Sequence, residues 1–245
     1  MSVPPAPSVA GCRPGPVGTH ALEPAALADE RHRMAMAKRW IEEFLTRHDP
    51  ELGRDGVVCP FMSRSLRRGL LRIESFDAAN GEEAFRDRVL GLRDALLERS
   101  ASAGDDRMYL ASVVVPYGRP DRVITRQIEG VQSALKPEFV NHGMMIGEFW
   151  PGHAMPGLHN QSFRPLASPV PMLALRHMVV TDLLFLSAAH VPPATQVSLL
   201  ADYERHLGPG LTGRWRARCH EAMATAQAAV RKARKAAEGT AGQAA

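Results

Sequence analysis

The segment from Trp150 to Pro169, WPGHAMPGLHNQSFRPLASP, carries two histidines, His153 and His159, six residues apart and without helical or strand periodicity around them. About twenty residues of irregular chain between two strands are uncommon inside a compact domain and point to function. An imidazole there can ligate a metal or a haem iron, or exchange protons near neutral pH. Gly152 and Gly157 let the backbone approach a bound group closely. The apolar Trp150, Met155, Leu158, Phe163 and Leu166, with Pro151, Pro156, Pro165 and Pro169, argue for an ordered loop. The plainer alternative is that both histidines only fasten turns.

Arg176 and His177 interrupt an otherwise apolar strand, and alternation sends one to each face of the sheet. An arginine on a central strand needs a carboxylate or a ligand anion, and Glu148 on the preceding strand is the expected partner. The plainer reading is a structural ion pair of Glu148 with Arg176. Cys59 stands just before Pro60 and the start of a short helix, where a thiolate is favoured. It can serve as a nucleophile with His177 as its base, or as a small buried hydrophobe.

The stronger motif classes are empty. There is no Gly-rich phosphate loop, no HExxH, no GxSxG elbow and no kinase-like lysine, which argues against nucleotide-driven and serine-hydrolase chemistry. The net charge is +4, and seven cations between Arg214 and Lys235 account for the excess. That basic run lacks interleaved aromatics and any DNA-binding spacing, so nucleic acid is not the expected partner; a small-molecule substrate is, and a homodimer stays open. Cys12, Cys59 and Cys219 lie far apart, so no disulfide framework or structural zinc site is expected. Without an apolar run long enough for a membrane span or a signal core, the chain reads as soluble and cytoplasmic. Its wealth of Ala, Arg, Gly and Pro fits a high-GC bacterial genome.

These residues need a scaffold. Residues 1–23 are rich in Pro and Gly and are expected to be a disordered leader, with 24–238 one globular domain and 239–245 a disordered tail. A helical stripe runs from Pro24 to Arg47, and a short helix follows Pro60. LLRIESF (70–76), MYLASVVVP (108–116), MMIGEFW (144–150) and PMLALRHMVV (171–180) read as strands. Helices are expected from about residue 81, from Asp121 with an interruption at Pro137, and over DLLFLSA, PPATQVSLLADYERHL and residues 211–238. The fold class is therefore α/β, an α+β sandwich with a mixed sheet of about four strands covered by helices and a long C-terminal helix.

The blocks GVVCPF, YLASVVVPYG, GEFWPGHAMPGLHN, FRPLASPVPMLALRHMV and TDLLFL, between residues 56 and 186, resemble an uncharacterised actinobacterial domain family associated with antibiotic-biosynthesis genes. The early Cys-Pro-Phe turn and the His-rich loop between late strands are distantly similar to the small haem-dependent N-oxygenases. That resemblance implies an oxidoreductase, a haem monooxygenase that hydroxylates a nitrogen of a free amino acid or guanidine such as arginine. His159 or His153 would hold the iron, Glu148 or Asp182 the guanidine, and Arg176 or Arg164 the α-carboxylate. The alternatives are a cofactor-free enzyme with Cys59 as nucleophile, and a non-catalytic ligand-binding or accessory protein.

Overall fold

A computed structural model describes residues 24–241. The expected leader 1–23 and residues 242–245 lie outside the described residues. Residues 239–241 of the expected tail continue the last helix, which is described to Ala241.

Four strands form one mixed sheet: β1 (Leu71–Asp77), β2 (Ala111–Tyr117), β3 (Met144–Phe149) and β4 (Met172–His177), in the order β1-β2-β4-β3. β1 and β2 are parallel and joined through helix α3 (Gly81–Ala101); β4 runs antiparallel to both β2 and β3. The sheet is thus mixed and helix-covered, as the alternating strand and helix patterns require. Residues 104–109 form a turn of 3-10 helix, so β2 begins three residues later than its β-branched run suggests.

Alternation along the strands builds two cores. Val114, Met144, Ile146, Leu173 and Leu175 face α3 and helix α4 (Asp121–Asn141). Val113, Val115 and Met172 face the other way, toward α1 (Pro24–Trp40), the π-helical turn Ile41–Leu45 that continues it, and the short helix α2 (Met62–Arg67). A third cluster joins α5 (Leu183–Leu186), α6 (Pro193–Leu207) and α7 (Gly213–Ala241) around Tyr203 and Leu199. The expected break at Pro137 does not occur: α4 runs through it to Asn141. Proline removes one intrahelical hydrogen bond, and the buried Leu135, Phe139 and Val140 on either side hold the helix together.

His177 belongs to the α3 face. Ser100 gives its own proton to the Leu96 carbonyl, so the imidazole Nε2–H donates to Ser100 Oγ and Nδ1 is left buried without a partner. Burial pushes its pKa from the ordinary 6.5 down to about 4. As pH falls, the unfolded chain takes up the proton first, so this stability is complete above the unfolded value and lost on the way down to the folded one. Between about pH 7 and about pH 4.5, wild type is expected to lose roughly 2–3 kcal/mol more unfolding free energy than His177→Leu. Urea unfolding curves at the two pH values check this; equal losses in both proteins would rule it out.

Candidate functional site

Helix α1 packs mainly on β1 and β2 and reaches the same face of β3 with Trp40 at its end, which stacks edge-on against Phe149. A cavity of about 600 Å³ lies there, floored by Val113, Met145, Gly147, Met172 and Ala174. Trp40, Ile41 and Leu45 of the α1 end and π-turn form one wall, and Val191 and Leu199 another. The loop between β3 and β4 closes over part of it through Met155, Pro165 and Leu166. Because β3 is the sheet edge, the cavity continues round that edge to Glu148 and to Lys136 on α4.

The loop is held in place by identifiable contacts. Trp150 pairs with Ala167 across its base, Asn160 Nδ2 donates to the Glu51 carbonyl at 2.7 Å, and Phe163 packs on Phe44. Gly53 is the point of closest approach, with φ +73°; a Cβ there would lie 2.8 Å from the His159 carbonyl oxygen. Arg164 is exposed and donates to the carbonyls of Gln161 and Phe163. It braces the loop and does not line the cavity, contrary to its expected role in binding substrate.

The two histidines part company. His159 is exposed, its backbone clamped against Gly53. His153 is 6 % exposed and lies under the Trp150 ring, with 4.0 Å between ring centroids. The Met155 N–H donates to its Nδ1, so the proton of the neutral ring sits on Nε2. That nitrogen is buried without a partner and faces Glu148 Oε1 at 3.9 Å. Burial holds the His153 pKa below its ordinary value.

Arg176 does not pair with Glu148. The register places Glu148 opposite Leu173 and Arg176 opposite Met145, so their side chains leave opposite faces of the sheet. Its partner is Asp182, fully buried, which the 3-10 turn Val180–Asp182 returns beneath the strand end. Arg176 Nη1 and Nη2 each donate to Asp182 at 2.7 Å, Nη1 also reaches the His177 carbonyl, and the Val179 N–H caps the same carboxylate. Nε–H and the second N–H of Nη2 have no partner among the described residues, and the 34 % exposure of the side chain is toward the cavity.

Cys59 also lines the cavity, on the face of Met172 and Ala174 and within electrostatic reach of Arg176. His177 points to the opposite face, so it cannot be the base for Cys59.

Lys136 was missed by motif reasoning. It lies on α4 with Gln132 one turn earlier, both on the cavity side. Burial pulls its pKa below the ordinary ammonium value against the pull of Glu148 and Asp182. Burial likewise pushes Glu148 above the ordinary carboxylate value. The available signal was composition: the chain has four lysines against twenty-six arginines, and this one sits inside a helix that carries a core.

The model of a domain family of unknown function, DUF6875, matches residues 34–218. The chain belongs to this family. The DUF6875 span takes in the whole sheet, the loop and every cavity residue named above, so the cavity is built from the family domain and not from the chain ends. No curated protein and no solved structure matches the chain. Among the described residues of this DUF6875 chain, no helix is long and apolar enough to cross a membrane, and no three His, Cys, Asp or Glu side chains gather as metal ligands.

Proposed function

We propose that the protein binds and transforms a small carboxylic acid in this cavity, its carboxylate on Arg176 and its apolar body along the sheet floor. The observation that carries this is the free edge of the Arg176 guanidinium. Asp182 takes the end-on pair of N–H groups and fixes the plane of the fork. Nε–H and the remaining Nη2–H form the side-on pair, whose spacing matches the two oxygens of a carboxylate. The remainder of the floor is apolar and rejects a hydrated ligand. A free amino acid with a large side chain is one such molecule, with its far end toward Lys136 and Glu148, three residues or about 10 Å along the strands.

Cys59, within electrostatic reach of Arg176, supports a second reading, in which its sulfur is the nucleophile. A haem held by His153 or His159 does not fit. Neither ring lines the cavity, His159 is exposed, and both nitrogens of His153 are turned to the Met155 amide and the Glu148 carboxylate under Trp150.

Calorimetric titration of aromatic and branched aliphatic acids, each paired with its primary amide, tests the proposal. Acids are expected to bind roughly tenfold to a hundredfold more tightly than their amides, the worth of a charge-assisted bidentate pair in a dry site. Arg176→Lys keeps a cation for Asp182 but loses the fork, and is expected to erase most of that preference. Acids and amides binding alike to wild type would sink the assignment.

A further inference from the structure

Lys38, Lys232 and Lys235 are exposed, whereas Lys136 opens into the cavity. The difference between this lysine and the arginines elsewhere is chemical. A guanidinium stays protonated, while an ammonium withdrawn from water can shed its proton and leave a nucleophilic amine. Lys136 makes no hydrogen bond and no ion pair with any described residue. Glu148 shares the cavity rim, its one side-chain neighbour within ion-pair range being the His153 Nε2–H at 3.9 Å. Lys136 and Glu148, opposite charges that ordinary packing would bring into contact, therefore share one opening without a salt bridge between them, an arrangement that marks reactive sites.

We propose that Lys136 forms an imine with an aldehyde or ketone carbonyl of a molecule held in the cavity, with Glu148 carrying the protons. The neutral Nζ lone pair attacks the carbonyl carbon. A C–N bond forms, the π pair moves to oxygen, and that oxygen takes the proton of the Glu148 carboxyl group. The nitrogen returns a proton to Glu148, which delivers it to the carbinolamine hydroxyl. Water leaves as the nitrogen lone pair closes the C=N bond. The result is a protonated imine beside the Glu148 carboxylate and one released water, with no oxidant or reductant required. His153 is a positioning residue: its Nε2–H faces the carboxylate and favours the charged form left at the end. Glu129, His190 and Asp182 also act electrostatically on this pair, with His190 at the cavity wall.

This inference uses the same cavity but does not depend on Arg176 binding a carboxylate. The test is reductive trapping with sodium cyanoborohydride, using benzaldehyde and 4-carboxybenzaldehyde as probes and peptide mass mapping of the four lysines. Lys136 is expected to be benzylated at least roughly tenfold faster than each exposed lysine with both probes. Glu148→Gln is expected to slow labelling of Lys136 by at least roughly tenfold and leave the other three lysines unchanged, with a circular-dichroism melt confirming its fold. Labelling of Lys136 no faster than the exposed lysines overturns the proposal, and an undiminished rate in Glu148→Gln removes Glu148 from it. The carboxylate reading separates cleanly: if it holds, 4-carboxybenzaldehyde labels Lys136 faster than benzaldehyde and Arg176→Lys abolishes that advantage. If it fails, the two aldehydes label Lys136 alike.

Discussion

Asp182→Asn is expected to lower the unfolding free energy by about 2–4 kcal/mol, the cost of taking the buried carboxylate from a part-buried arginine. Asp182 has no exposed surface and accepts three hydrogen bonds, two from Arg176 and one from the Val179 N–H. The amide can accept one of the guanidinium bonds, but its NH2 group then meets a donor, and the cation stays on an apolar floor without its counter-charge. For a domain of this size the melting temperature should fall by roughly 10 °C. The double replacement Arg176→Met with Asp182→Leu is expected to recover most of the loss, since neither charge remains buried alone. Urea unfolding followed by circular dichroism measures both. A loss below about 1 kcal/mol in Asp182→Asn would mean that water reaches the pair, and the cavity floor would then be wetter than its lining implies.

The contrast between Asp182 and Glu148 shows where the sequence was legible. That Arg176 and His177 must leave opposite faces follows from alternation alone, and so does the need of Arg176 for an anion. Which anion answers depends on a turn. Val180 to Asp182 coils back under the end of β4, a local event that a search for charge on the neighbouring strand passes over. Glu148 stands one strand away in the right sequence position, yet the β3–β4 register puts it on the wrong face. A one-residue slip would have reversed this, and nothing in a single sequence sets that register. The same limit applies to Cys59 and His177, each legible as reactive types, since only the tertiary layer over each face shows them to be separated by the sheet. In the sequence, Asn160 and Arg164 nearby favour His159 over His153. Gly53 and the Asn160 bond to Glu51 decide between them by fixing how the loop lies, and those contacts come from chain about a hundred residues earlier. Lys136 carried no motif. Its meaning comes from the hollow over the β4–β3 face, which is left because α1 packs mainly on β1 and β2.

That face is also the place to separate the cavity from its charged rim. Along β4 every residue is buried except Ala174 and Arg176, which share the cavity side. Ala174 stands at the centre of the floor, between Gly147 of β3 and Val113 of β2. Ala174→Phe puts an aromatic ring into the space, on a strand that suits aromatic residues, and leaves Arg176, Lys136, Glu148 and Cys59 unsubstituted. Stability should be unchanged or slightly raised, because the ring fills space and displaces no core side chain. Affinity for carboxylic acids should fall by at least about a hundredfold, close to 3 kcal/mol, since the apolar body of the ligand loses its room. Calorimetry on the variant and a thermal melt measure the two effects. A variant that is as stable as wild type and still binds would put the ligand elsewhere on the molecule, since the charged groups are intact and only the hollow above the strands has been filled.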